Sequence, residues 1–332
     1  MAMPVEKTGR IPFLALTGFL GSGKTTVLNR LLREEGRWLV LMNEFGKEPL
    51  DQVLTGRRDI PLALLSGGCV CCTVRGALAP TLRNLYMSRS AGTVHFDRVV
   101  METSGVADPG PVVDTLLQDR WLAARYRLAA IVATVDALHG LERIEQFPEA
   151  ARQAALADHL LITKTDLAES ETVGRLRQRL GQMNPTVEAI AATRGEWDAG
   201  KLLASASVYE AGLSRHMVSP ARAGTVFESA ALVFDKPLRG DALGMLNRLV
   251  ATVGRSLLRI KGLLDLEGEP RPVVVHAVAG HLYPCERLAG WPDGERRSRL
   301  VVISLASDRE LIRRFFSEFE QAVGEGKSSL PV

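Results

Sequence analysis

The chain has 332 residues and a formal net charge of 41 − 38 = +3, with 46% apolar and 24% charged side chains. That length suits two domains, the composition belongs to folded globular chains, and so mild a charge excludes a protein that holds nucleic acid by electrostatics. No apolar stretch approaches the roughly 20 residues of a membrane-spanning helix, and the first residues lack a basic stretch leading into an apolar one. The expectation is a soluble, cytoplasmic chain without a membrane or nucleic-acid partner.

In chain order, short apolar runs at Phe13–Thr17, Trp38–Asn43, Leu62–Ser66, Arg98–Glu102, Leu128–Val135, His159–Thr163 and Val187–Ala192 predict strands. They are nearly continuous rather than alternating, as in a parallel sheet covered on both faces. Helical spacing separates them, as at 25–35, where Val27, Leu28, Leu31 and Leu32 share a face and Gly36 is the expected stop. This alternation predicts an α/β fold with a mostly parallel wound sheet over residues 10–213. Residues 214–225 read as a linker. Over 226–323, runs at Phe227–Phe234, Leu257–Leu266, Val273–Val278 and Leu300–Ser304, with helical patterns at 241–253 and 308–323, predict a smaller α+β domain. The tail from Gly324 reads as mobile.

Gly18-Phe19-Leu20-Gly21-Ser22-Gly23-Lys24-Thr25 follows the first predicted strand and opens a helix. It matches the phosphate-loop spacing, in which glycines let backbone N–H groups turn inward onto phosphate oxygens. Lys24 would reach the β- and γ-phosphates, and the Thr25 hydroxyl would ligate Mg²⁺. Val99-Val100-Met101-Glu102 ends a strand in the acid such a site needs for Mg²⁺, and Gly105 could offer its N–H to a γ-phosphate. Thr163-Lys164-Thr165-Asp166 ends another strand with guanine-reading spacing. The Asp166 carboxylate can accept from guanine N1–H and the 2-amino group, and adenine offers neither. A polar helix cap is the competing reading there. Ala191, Ala192 and Thr193 are candidates for a further backbone contact to the base.

Three of the four cysteines lie within Gly67-Gly68-Cys69-Val70-Cys71-Cys72, between a strand and a helix expected from Thr73. Thiolates at that spacing suit Zn²⁺ or another soft or borderline ion, and three ligands leave a position open for transfer. Inert core thiols or a redox pair are the alternatives. Cys285 stands alone and reads as core. The cluster falls between the phosphate loop and Glu102 in strand order, so it should share their rim. Glu44, in Asn43-Glu44-Phe45-Gly46, is either an oxygen ligand at that rim or a plain surface acid.

The order GxxxxGKT, NEFG, GGCVCC, ETSG and TKTD resembles the CobW-like GTPases over nearly the whole chain, including Leu257–Gly262 and Ser298–Val301 in the C-terminal part. The resemblance implies a G domain with a small α+β domain, and GTP hydrolysis coupled to binding Zn²⁺ or Co²⁺ and passing it to a client metalloprotein. It implies phosphate binding by Gly21, Ser22, Gly23, Lys24, Thr25 and Thr26, with Lys24, Thr25 and Glu102 serving turnover. Thr163, Lys164 and Asp166 would read the base. Cys69, Cys71 and Cys72 would hold the metal, with Glu44 as a possible fourth ligand, and homodimerisation is plausible by the same resemblance. Two departures stand out: Thr163 where Asn is commoner, and a lone His216 where many members carry a histidine-rich stretch. His276 and His281 read as strand or loop residues. A P-loop small-molecule kinase and a non-enzymatic metal buffer or sensor are the competing functions.

Overall fold

The computed structural model describes residues 9–43, 60–65, 70–193, 197, 227–292, 294–324 and 327–328. The chain divides into two compact units, residues 1–177 with 189–208, and residues 178–188 with 209–332.

In the first unit the strands are β1 (Ile11–Gly18), β2 (Trp38–Asn43), β3 (Leu62–Leu65), β4 (Arg98–Glu102), β5 (Tyr126–Asp136), β6 (His159–Thr163) and β7 (Ala189–Ala192). They form one sheet in the order β3-β2-β4-β1-β5-β6-β7. Every neighbouring pair is parallel. The crossovers carry α1 (Lys24–Leu31), α2 (Val70–Ser90), α3 (Gly110–Gln118), α4 (Arg120–Ala123), α5 (Gly140–Gln146), α6 (Pro148–Leu156) and α7 (Ser170–Met183), whose residues from 178 are counted with the second unit. Consecutive residues of β1 and β4, such as Phe13–Leu16 and Val99–Met101, are all buried. Burial on both faces is the reason these strands read as unbroken apolar runs. The carboxyl ends of β1, β4, β5 and β6 line one edge, where open α/β sheets take their ligands.

Three local expectations are corrected. The first helix ends at Leu31, well before Gly36, because Arg33 N–H bonds to Arg30 O (3.2 Å) and Glu34 N–H to Leu31 O (3.1 Å). These i→i−3 bonds tighten the end into a turn. The helix after the cysteine segment begins at Val70 rather than Thr73, since no Pro or Gly interrupts Val70–Arg75. Residues before Ala189 form a turn, with Val187 N–H on Asn184 O (3.3 Å), which shortens the strand expected from Val187.

The second unit is an antiparallel sheet of β8 (Phe227–Phe234), β9 (Leu257–Leu264), β10 (Val273–Val278), β11 (His281–Leu282), β12 (Glu286–Arg287), β13 (Ser298–Leu305) and β14 (Lys327–Ser328). Its order is β11-β10-β9-β13-β8-β14, with β12 also on β10. Helices α8 (Ala242–Val253) and α9 (Arg309–Val323) also belong to this unit. The Asp241 side chain caps α8, accepting from Gly244 N–H at 2.9 Å. Ile312, Phe315, Phe316, Phe319 and Val323 give α9 one apolar stripe. That stripe joins Leu246 and Leu249 in one core with Leu232, Ile260, Val275 and Leu300 of the sheet. Cys285 packs against this core. His276 lies in β10 stacked on Tyr283, and His281 lies in β11. The tail expected to be mobile instead supplies Lys327–Ser328, paired with Val233 and Leu232. Among the described residues no helix is long and apolar enough to cross a membrane. The proposed linker 214–225, His216, Cys69 and Glu44 lie outside the described residues.

Candidate functional site

β1 ends at Gly18, where a side chain would collide with Thr134 Oγ1 and Ser22 Oγ, at a φ of +142°. Ser22 N–H returns to Phe19 O (3.1 Å), and Gly23, at φ +90°, turns the chain into α1. The loop therefore wraps the N-terminus of a helix whose first N–H groups are free for an anion. Lys24 is buried and donates to Gly18 O (2.9 Å) and Phe19 O (3.2 Å) across the loop's mouth. Thr26 is exposed on α1, and Gly21 is exposed at the loop's tip.

β4 pairs beside β1 with Glu102 opposite Leu16. Glu102 Oε1 accepts from the Thr25 hydroxyl at 3.0 Å, while its buried Oε2 has no hydrogen-bond partner. Burial pushes the Glu102 carboxyl up, against the pull of Thr25 and Lys24. It likewise pushes the Lys24 ammonium down, opposed by Glu102. Two under-solvated charges of opposite sign at one mouth are suited to a phosphate on the lysine side and a divalent cation on the carboxylate side. An orphaned buried carboxylate oxygen next to a hydroxyl is the hard oxygen donor set that Mg²⁺ takes.

The segment after β6 docks on the same loop. Thr163 Oγ1 donates to Ser22 O (2.7 Å), so the hydroxyl supplies a donor where an asparagine amide would. Lys164 sits at φ +57°, and its Nζ donates to Gly21 O (2.8 Å) and to Asp136 Oδ2 (2.6 Å). Asp166 is exposed in the short turn Thr165–Leu167, and Thr165 Oγ1 meets Thr193 Oγ1 at 2.9 Å. The phosphate loop, Glu102 and the Thr163–Asp166 segment are thus brought together. Cys71 and Cys72 fall in the first turn of α2. Their side chains, like Cys69 and Glu44, lie outside what the structure describes.

Sequence reasoning missed Asp136, Arg143 and Gln153. Asp136 is buried at the end of β5 and accepts from Leu138 N–H (2.7 Å) and His139 N–H (3.3 Å). Burial raises its pKa, but the Lys164 hydrogen bond and these amides outweigh it and hold the carboxyl below the usual range. Arg143 on α5 lies 3.6 Å from Asp136 and donates to Leu20 O at 2.9 Å. One buried carboxylate therefore anchors two cations, each holding an adjacent carbonyl of the phosphate loop. An acid closing an apolar strand, the signal that picked out Glu102, is also present in Val135-Asp136.

Residues 12–191 match the family described as CobW/HypB/UreG, nucleotide-binding domain, and residues 227–320 match the cobalamin synthesis protein cobW C-terminal domain. The zinc chaperone YjiA of Escherichia coli is 33% identical over 312 residues, covering 91% of this chain and 96% of YjiA. The zinc-regulated GTPase metalloprotein activator 1 of Schizosaccharomyces pombe is 34% identical over 198 residues, covering 57% of this chain and 47% of that protein. The crystal structure of Zn(II)-bound YjiA GTPase from E. coli superposes with a TM-score of 0.70 at 29% identity, covering 93% of this chain and 99% of that one. Matched along both units, the chain belongs to the CobW/HypB/UreG family, as a nucleotide-binding P-loop domain followed by a CobW C-terminal domain.

Proposed function

We propose that this protein is a GTP-hydrolysing metal chaperone that binds Zn²⁺ or Co²⁺ at Cys69, Cys71 and Cys72 and passes it to a client metalloprotein. The observation that carries the reading is the Thr25–Glu102 pair at the mouth of the phosphate loop, with Glu102 Oε2 buried and unpartnered. A similar chain named as a zinc chaperone and another named as a zinc-regulated GTPase metalloprotein activator support the cargo and the client. The cytoplasm is the compartment where such thiols stay reduced.

In this reading the N–H groups of Gly21 and of Gly23 to Thr26, joined by that of Ser22 once it leaves Phe19 O, cradle the phosphates, and Lys24 leaves its two carbonyls for the β- and γ-oxygens. Thr25 and Glu102 would hold Mg²⁺, which when bound neutralises charge on the phosphate oxygens. Water adds to the γ-phosphorus, the bond to the β–γ bridging oxygen breaks, and GDP and inorganic phosphate leave. Lys24 stabilises the charge that collects on the bridging oxygen. Lys164 acts as a strut between the base loop and Gly21, and Asp166 accepts from guanine.

The cysteines and the phosphate loop follow strands β3 and β1, three positions apart in the sheet. At about 4.8 Å per strand, β3 and β1 lie about 14 Å apart. Coupling would pass through the segment that follows Glu102, ordered by GTP and released by hydrolysis. A hundredfold change in metal affinity needs about 2.7 kcal/mol of such coupling, within the usual range.

Steady-state hydrolysis of GTP, ATP and xanthosine triphosphate by the wild type and Asp166→Asn tests the base assignment. An asparagine keeps an acceptor for N1–H but meets the 2-amino group with its own NH₂, whereas xanthine offers a 2-oxo acceptor. The variant should lose about a hundredfold in kcat/KM for GTP and gain activity on the xanthine nucleotide. Equal GTP activity in variant and wild type would remove Asp166 from base recognition.

A further inference from the structure

Gln153 takes no part in the mechanism above, yet it is among the most enclosed polar side chains in the first unit. It lies on α6 with 1% of its surface exposed. It lines a recess behind the phosphate loop together with Ser22, Thr134, Asp136 and Arg143. Its Nε2 donates to Gly105 O (3.2 Å) and Ala107 O (2.9 Å), so both hydrogens of the amide go to the loop that follows Glu102. One residue earlier on the same helix, Arg152 pairs with Asp108 at 2.9 Å. Asp108 also accepts from Gly110 N–H (2.8 Å) at the start of α3.

The segment so gripped is a tight turn, closed by Ala107 N–H on Ser104 O at 3.0 Å. A peptide plane carries its C=O and the next N–H at opposite ends, so fixing one fixes the other. The turn's own bond, through Ser104 O, sets the direction of the Gly105 N–H. Gln153, through Gly105 O, sets that of the Val106 N–H. On the other side the turn is wedged against the phosphate loop, since a Cβ on Gly105 would lie 2.7 Å from Leu20 Cδ2 and 2.8 Å from the Leu20 nitrogen. The turn has little freedom to tip toward the loop, and Gln153 keeps it from tipping away.

We propose that Gln153 is a positioning residue for the terminal phosphate: its amide holds the Ser104–Ala107 turn so that the turn's amides meet the γ-phosphate of GTP and have nothing to meet in GDP. This rests on the GTPase reading above and adds to it the residue that sets discrimination between the two nucleotides. Donors aimed in advance at one phosphate favour the ligand that has it, and loosening them costs that ligand alone.

The test is calorimetric affinity for non-hydrolysable β,γ-imido GTP and for GDP, both with Mg²⁺, in wild type, Gln153→Met and Asp108→Asn. Methionine keeps the length and helix preference of glutamine without its donors. The expected result is about a tenfold loss of analogue affinity in Gln153→Met with GDP affinity changed less than twofold, a change of about 1.4 kcal/mol in the preference. Asp108→Asn keeps the Gly110 cap, removes the Arg152 ion pair at the surface, and should lower the same ratio about threefold. Gln153→Leu, which also lacks the donors, carries the test if Gln153→Met does not fold. Equal losses for both nucleotides, which a merely structural role would give, or an unchanged ratio would overturn the proposal while leaving the GTPase reading intact. A wild type that binds neither nucleotide would overturn the reading itself.

Discussion

Lys24→Ala should lower affinity for GDP and GTP at least a hundredfold and GTP turnover by more, without unfolding the nucleotide-free protein. The ammonium is buried at the loop's mouth, and among the described residues its counterweights are two backbone carbonyls and the field of Glu102. Burial depresses its pKa, so the free protein bears a strained charge that a polyphosphate relieves. Removing it discards the main cation facing the phosphates while α1 keeps its apolar anchors Val27, Leu28 and Leu31. Melting with and without Mg²⁺-GDP reads both halves of the prediction. A ligand at a hundred times its Kd adds about 2.7 kcal/mol, roughly 5–10 °C for a domain near 200 residues. The wild type should show that rise and Lys24→Ala should not. A variant that keeps the full rise would place the nucleotide elsewhere.

Cys71→Ser should weaken Zn²⁺ binding at least a hundredfold and leave GDP affinity in chelator unchanged. Serine keeps about the size of cysteine, but its hydroxyl is not a soft, readily ionised donor. Cys71 and Cys72 lie in the first turn of α2, and a helix N-terminus favours the thiolate form in which cysteine binds metal. The earlier start of α2 strengthens this argument, because a helix from Thr73 would have left both thiols on a preceding turn. Cys72→Ser should behave alike, and Cys285→Ser should change nothing, since Cys285 packs against the apolar core of the second unit. Competition with a calibrated chelator measures all three. Unchanged Zn²⁺ affinity in Cys71→Ser and Cys72→Ser would take the metal away from this segment.

What could be read from sequence follows a physical pattern. Trp38–Asn43, Arg98–Glu102, His159–Thr163, Phe227–Phe234 and Val273–Val278 are strands over the expected residues because burial on both faces demands unbroken apolar runs. The phosphate loop was legible because its chemistry sits in eight contiguous residues. Asp136, Arg143 and Gln153 were not, because they act on backbone carbonyls of segments far along the chain. Gln153 reaches Gly105 and Ala107, and Arg143 reaches Leu20, so neither forms a local spacing. Two-residue strands such as β11, β12 and β14 exist only through their partners and carry no periodicity of their own. The end of α1 is not legible in the sequence, because Gly36 is a common stop signal while the i→i−3 bonds that end the helix have no residue signature.

The coupling of nucleotide state to metal affinity is the central claim, and one titration addresses it most directly. Zn²⁺ and Co²⁺ are titrated into the wild-type protein against a chelator, first with Mg²⁺ and β,γ-imido GTP, then with Mg²⁺-GDP. The account predicts metal affinity at least tenfold higher in the GTP-like state, and by linkage an equal gain in analogue affinity when metal is present. Equal metal affinity in the two nucleotide states would contradict it.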